Sequence, residues 1–245
     1  MEGGTVMTHG SLFSGIGGFE QAAQWVGIPS LWNCEIASYP RRVLERRFPE
    51  TKRYEDVKKL SNPEYVDIIN GGFPCQAISL AGKGVGIIGT RSGLWYEMYR
   101  IVREVRPRFV IIENSPALLY RGFERVLCDL SEVGYDAEWR CLSNADFGFD
   151  HRRERLYVIA YSNEVKRQAG RIQEWSQTQG IFVPPSNQHS GFSLAQRIFE
   201  MPDREHIGIN DGIQGWTHRI GCIGNAVNPV VAKYLFECII LFENK

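Results

Sequence analysis

Ser11-Leu12-Phe13-Ser14-Gly15-Ile16-Gly17-Gly18-Phe19 is the stretch that decides the fold. A short strand runs into it, three glycines follow, and an amphipathic helical pattern runs from Phe19 to Val26. A strand thus enters a helix through a turn whose missing Cβ atoms let the backbone approach a ligand. On its own, a glycine-rich turn is equally well explained by tight packing. Glu35 adds weight, because it lies 20 residues after Gly15 at the end of the next strand pattern. An acid there can hold ribose hydroxyls. Asp56, in Glu55-Asp56-Val57, is a candidate for the adenine end of such a ligand, with a helix cap as the alternative reading. An adenosine-containing cofactor is implied, and nicotinamide and methyl-donor cofactors are both open.

Outward from the turn, strand and helix patterns alternate. Residues 1–10 read as a loose start feeding a short strand, and further strands fall at Ser30–Glu35, Val66–Asn70, Phe109–Glu113, Tyr135–Leu142 and Leu156–Ala160. Helices fall at Phe19–Val26, Ser38–Phe48, Leu94–Val105 and Phe123–Glu132, with Ser38 expected to cap its helix and Pro40 in the first turn. Near-continuous apolar strands alternating with helices predict an α/β, Rossmann-like, mostly parallel sheet with helices on both faces. From about Tyr161 the texture changes: residues 161–215 are rich in Gln, Ser, Asn, Gly and Pro, which reads as a small irregular subdomain. A last helix, Val230–Phe242, follows Pro229, a residue suited to a first helical turn. The expected division is therefore 1–160 with 216–245 as one unit and 161–215 as a small second one.

Composition narrows the class. In 245 residues, 28 Lys and Arg balance 28 Asp and Glu, which excludes a globally basic nucleic-acid coat and an acidic disordered chain. The charge is unevenly spread, since residues 151–175 carry six Lys and Arg against three Glu. The six cysteines include no CxxC pair, the first residues lack an apolar leader, and no apolar run is long enough for a membrane helix. A soluble cytoplasmic protein with free thiols is the expectation.

Three further stretches carry chemistry. Gly71-Gly72-Phe73-Pro74-Cys75-Gln76 follows a strand at the carboxyl edge, where open α/β sheets bind ligands. A lone cysteine is usually a small buried hydrophobe, but one after proline in a glycine-rich loop suits a presented nucleophile. Glu113 and Asn114 end the next strand, where a carboxylate needs a partner: a substrate, an arginine, or both. In His151-Arg152-Arg153-Glu154-Arg155, Arg153 and Arg155 point to one face of a strand. Adjacent arginines suit a carboxylate or phosphate, and an exposed basic strand edge is the alternative.

Together with Gly224-Asn225-Ala226-Val227, and in this order, these elements resemble the DNA cytosine-5 methyltransferase family. The resemblance covers roughly residues 8–160 and 216–242. It implies transfer of a methyl group from S-adenosylmethionine to C5 of a cytosine flipped out of duplex DNA, through a covalent Cys75–C6 adduct, leaving S-adenosylhomocysteine. On this resemblance Cys75 is the nucleophile and Glu113 the acid beside the ring. Arg155 meets cytosine O2, and Arg153 the same pocket or a nearby phosphate. Phe13, Gly15, Gly17 and Gly18 would frame the cofactor, with Glu35 on its ribose, Asp56 near its adenine, and Ile36, Val57, Pro74 and Leu94 also lining the site. Asn225 and Val227 would close it. No metal is implied. Duplex DNA is the partner, a cognate restriction enzyme a possible second one, and a monomer in a prokaryotic or phage-infected cell the expected state.

The chain also departs from the family pattern. Ser11 stands where many relatives have Asp, Ser115 where Val often follows Glu-Asn, and Asp150-His151 where Pro-Gln is frequent. The segment before the last motif is shorter than most relatives' target-recognition region. Methylation of RNA by the same machinery and a non-catalytic binding role are the competing readings. A nicotinamide dehydrogenase would explain the glycine turn but neither Pro-Cys nor Glu-Asn.

Overall fold

The computed structural model describes residues 6–74, 93–165 and 226–243. Its central strand, β5 (Phe109–Asn114), is buried along its whole length. Phe109 and Ile111 enter one apolar core, Val110 and Ile112 the other, as strand alternation requires of a sheet covered on both faces. Seven strands form the sheet in the order β3-β2-β1-β4-β5-β7-β6. The others are β1 (His9–Leu12), β2 (Ser30–Cys34), β3 (Lys52–Tyr54), β4 (Ile68–Gly71), β6 (Tyr135–Ser143) and β7 (Glu154–Ser162). Neighbours from β3 to β5 pair in parallel, whereas β7 runs antiparallel to both β5 and β6. The expected mostly parallel α/β architecture is the one observed.

Helices α1 (Gly18–Trp25), α2 (Ser38–Arg47), α3 (Leu94–Val105), α4 (Phe123–Glu132) and α5 (Pro229–Glu243) complete the described fold. Buried residues of α3 and α4, among them Met98, Ile101, Val126 and Leu130, cover one face of the sheet. Phe19, Ala22 and Ala23 of α1 cover the other with Val231, Leu235, Phe236 and Ile239 of α5. Each fully buried aliphatic side chain contributes about 1.5–3 kcal/mol. These two helices therefore anchor the C-terminal segment firmly to the first turn of the chain.

Two local features depart from expectation. Ser38 does not cap α2: the cap position is Ala37, without a side-chain bond, and the Ala37 N–H donates to Glu35 Oε1 at 2.7 Å. The strand-end carboxylate thus holds the amide of the cap residue itself, and no side chain caps the first turn. Pro40 lies buried in the first turn, and Pro229 opens α5, both as expected. The second feature is β3, which sequence patterning does not mark. β7 extends to Ser162, just past the expected boundary at 160, and residues 166–215 of the proposed second unit lie outside the described residues.

Candidate active site

The chain reverses its direction of strand addition between β1 and β4, which puts a crevice beyond their carboxyl ends. The turn after β1 forms one wall. Phe13 takes a left-handed backbone (φ 56°), and among the described residues nothing lies within 4 Å of where a Cβ on Gly15 (φ 55°) would be. The Gly15 N–H donates to Glu35 Oε2 at 2.8 Å, so each carboxylate oxygen of Glu35 holds one backbone amide. The acid is fixed at the crevice with lone pairs left over for hydroxyl donors. Gly17 serves packing, since a Cβ there would come within 2.5 Å of the Phe48 ring. Gly18 faces the other end of the chain: its Cβ would meet the Val227 carbonyl at 2.5 Å.

Ile36 is 71 % exposed beside Glu35. Asp56 follows β3, where its Oδ1 accepts from the Lys58 N–H at 2.9 Å, so it caps a turn as well as standing near Glu35. Val57 is buried, and its carbonyl accepts from Arg100 at 2.8 Å, which ties this turn to α3. Leu94 and Phe13, both half-buried, pack against the same core. The open glycine, the immobilised acid and the apolar rim fit an adenosine-bearing ligand.

The second half of the crevice is charged. Because β7 is antiparallel, its first residues reach the edge where β4 and β5 end, with Asn114 opposite Leu156 and Glu113 opposite Tyr157. That pairing puts Arg155 Nε at 3.2 Å from Glu113 Oε1. The other oxygen lies over Gly72, where a Cβ would come within 2.7 Å of it. Burial raises the Glu113 carboxyl above its ordinary range, and the positive charges of Arg153 and Arg155 only partly offset this. Arg153 donates to the Ala226 carbonyl, and its guanidinium is held below its ordinary range by burial and by Arg155 beside it. Of the two readings of the arginine pair, the structure shows the carboxylate partner for Arg155 and a backbone carbonyl for Arg153, and neither side chain lies on an exposed basic edge.

Asn114 makes a contact at this edge that the sequence understates. Its Nδ2 donates to the Phe73 carbonyl at 2.9 Å, in a buried contact that fixes Gly72-Phe73-Pro74 against the end of β5. An amide beside an acid at a strand end was the available signal. Phe73 also packs on Trp95, with ring centroids 5.4 Å apart, and Trp95 Nε1 donates to the buried Asp129 at 2.7 Å. Pro74 is exposed at the crevice. Cys75 and Asn225 lie outside the described residues, directly beyond Pro74 and directly before Ala226.

Comparison with known proteins identifies the family. The family model for C-5 cytosine-specific DNA methylase matches residues 7–207. Type II methyltransferase M.NgoBI of Neisseria gonorrhoeae is 34% identical over 160 residues, covering 63% of this chain and 50% of that protein. M.HhaI of Haemophilus parahaemolyticus is 32% identical over 163 residues, covering 64% and 50%. The chain spans about half the length of these curated relatives. Among solved structures, an Escherichia coli prophage protein described as a DNA modification methyltransferase superposes with TM-score 0.58 at 25% identity, covering 74% of this chain and 51% of that one. Entamoeba histolytica methyltransferase EhMeth shares the fold over 97% of this chain and 98% of its own, with TM-score 0.65 at 15% identity.

Proposed function

Because this chain belongs to the C-5 cytosine-specific DNA methylase family, we propose that it methylates cytosine C5 in duplex DNA, with S-adenosylmethionine as donor. The observation that carries the reading is the Glu113–Arg155 pair, held over Gly72 at the edge where Phe73-Pro74 precedes Cys75 in the sequence. The open turn at Gly15 and the immobilised Glu35 would take the cofactor's backbone and ribose, and Phe13, Ile36 and Asp56 its adenine end.

Cytosine C5 is a poor nucleophile, so the ring must be activated first. The Cys75 thiolate forms a bond to C6, which gives C5 enamine character. A raised Glu113 titration suits this step. The protonated carboxyl donates to N3 and accepts from the exocyclic amine, stabilising charge that attack would otherwise leave on the ring. Arg155 offers its remaining N–H groups to O2 and limits how far burial raises Glu113. When bound, S-adenosylmethionine supplies the electrophilic methyl group that C5 takes up. Loss of the C5 proton to a base and elimination across C5–C6 then release Cys75. The ring is reachable only when flipped out of the duplex.

Residues 161–215 are assigned to target reading, and their brevity favours a short recognition site. A monomer acting on DNA in the cytoplasm of a prokaryotic or phage-infected cell, alone or beside a restriction enzyme, completes the proposal. Among the described residues no helix is long and apolar enough to cross a membrane.

The test supplies tritiated methyl donor with duplex DNA or transfer RNA, then identifies the labelled base after digestion. Label at C5 of cytosine in DNA is expected. Label at cytosine N4, on adenine, or in RNA alone would overturn the reading. With 5-fluorocytosine in the target, a denaturation-resistant adduct should form and should vanish in Cys75→Ala.

A further inference from the structure

Glu20 is an acid that the mechanism above does not use. It sits in the first turn of α1, directly behind the glycine turn, and is fully buried. The Ser11 and Ser14 hydroxyls and its own backbone N–H lie near enough to favour its charged form. None of them makes a well-formed hydrogen bond to it, and among the described residues both carboxyl oxygens are unpaired. Ser14 Oγ instead donates to Ser11 Oγ at 2.9 Å, and Ser11 accepts from Asn70 Nδ2 at 3.3 Å. Asn70 in turn meets the buried His9, which reaches Ser30 at 2.8 Å. A polar chain thus crosses β4, β1 and β2 and ends beneath the cofactor turn at an unsatisfied acid. An orphaned buried carboxyl costs stability, so its retention at this point calls for a compensating partner.

We propose that Glu20 is a positioning residue that senses the charge of the cofactor, favouring the cationic sulfonium donor over its uncharged thioether product. The inference rests on S-adenosylmethionine binding at the Gly15–Gly18 turn. The two ligands share adenosine, amino and carboxylate groups, and differ by one methyl group and one positive charge. A positive charge entering a dry crevice stabilises a nearby carboxylate, and by linkage the carboxylate stabilises the positive charge equally. In the free protein, burial raises Glu20 to about 7, with the Glu35 charge adding to the effect. The other charged group facing it is Arg47 on α2, itself depressed by burial. His9 is pushed down to about 4 and stays neutral, so it adds no charge to the chain near neutral pH. Binding of the donor therefore releases a proton from Glu20, whereas binding of the product releases little. Methyl transfer removes the charge that Glu20 holds, and this weakens retention of the spent cofactor.

Calorimetry on the whole protein tests this, titrating S-adenosylmethionine and S-adenosylhomocysteine separately at pH 6 and pH 8 in buffers of different ionisation enthalpy. At pH 6 proton release is expected with the donor and near absence of release with the product, while at pH 8, where Glu20 is already ionised, neither should release much. The product-to-donor Kd ratio should rise severalfold between the two pH values, within the tenfold that one pKa unit represents. In Glu20→Gln the ratio should become independent of pH while both ligands still bind. Equal proton release for both ligands at pH 6, a pH-independent ratio in the parent protein, or release at pH 6 that survives Glu20→Gln would each overturn the inference. If the variant does not fold, the parent protein's two ligands still decide it. Failure of both ligands to bind would instead contradict the cofactor reading itself.

Discussion

Asn114 holds Phe73: its side-chain amide, at the last position of β5, donates at 2.9 Å to a carbonyl two residues before Cys75. The loop that carries the proposed nucleophile is thereby tied to the strand that carries the proposed acid. Asn114→Ala leaves the Phe73 carbonyl buried and unpaired, at about 1–3 kcal/mol. A melting temperature lowered by several degrees is expected, with kcat falling at least tenfold. An unchanged kcat in single-turnover methyl transfer would show that the tie does not matter to chemistry.

Two glycines in the cofactor turn should separate by mechanism. Gly15→Ala strains a left-handed backbone at about 1 kcal/mol but meets no atom among the described residues. It should fold, and it should lose cofactor affinity because the Cβ enters the open space. Gly18→Ala places a Cβ 2.5 Å from the Val227 carbonyl and must displace backbone. It should lower both stability and affinity. Thermal melts beside calorimetric titrations distinguish the two, and similar melting losses for both would contradict the assignment.

The Arg155 pair makes a statement about pH. Glu113 is raised by burial and pulled back by Arg153 and Arg155, so the protonated form is lost as pH climbs through its titration. Removing one of the restraining charges moves that titration upward. Arg155→Ala should therefore lower kcat and shift the alkaline limb of the pH–rate profile to higher pH. A limb that stays in place would show that another group sets it.

Glu20 also affects stability in a pH-dependent way. Its folded titration near 7 lies above the 4.5 of an ordinary glutamate, so the unfolded chain is the better acid. Its ionisation destabilises the fold progressively as pH rises from 4.5 towards 7 and by a constant amount above that. Glu20→Gln should consequently be more stable than the parent at pH 8, by up to about 3 kcal/mol, and should gain little at pH 4.5. Denaturant melts at the two pH values provide the comparison.

What was legible in the sequence depended on burial. β5, α3 and α4 announce themselves because their apolar residues recur at the period of the element that buries them. β3 does not: Lys52 and Arg53 are exposed, and only its backbone pairing with β2 makes it a strand. The polar interior of β1 and β4 was equally silent, because His9, Ser11 and Asn70 are buried through bonds to one another across strands. In the site, Glu35, Glu113, Arg153 and Arg155 could be read as residue types at strand ends. The Asn114–Phe73 tie and the orphaned Glu20 could not, since both depend on which strands become neighbours.

The contact between Gly18 and Val227 also bears on when the protein becomes competent. A ribosome releases the glycine turn early and α5 late, an interval on the order of ten seconds or more at about 5–20 residues per second. Until α5 emerges, Phe19, Ala22 and Ala23 lack the share of their apolar cover that Val231, Leu235 and Phe236 supply, and the crevice lacks the wall that Val227 and Ala226 provide. A chain arrested before Ala226 should therefore fail to retain radiolabelled cofactor, so the crevice would take its ligand only once synthesis has passed α5.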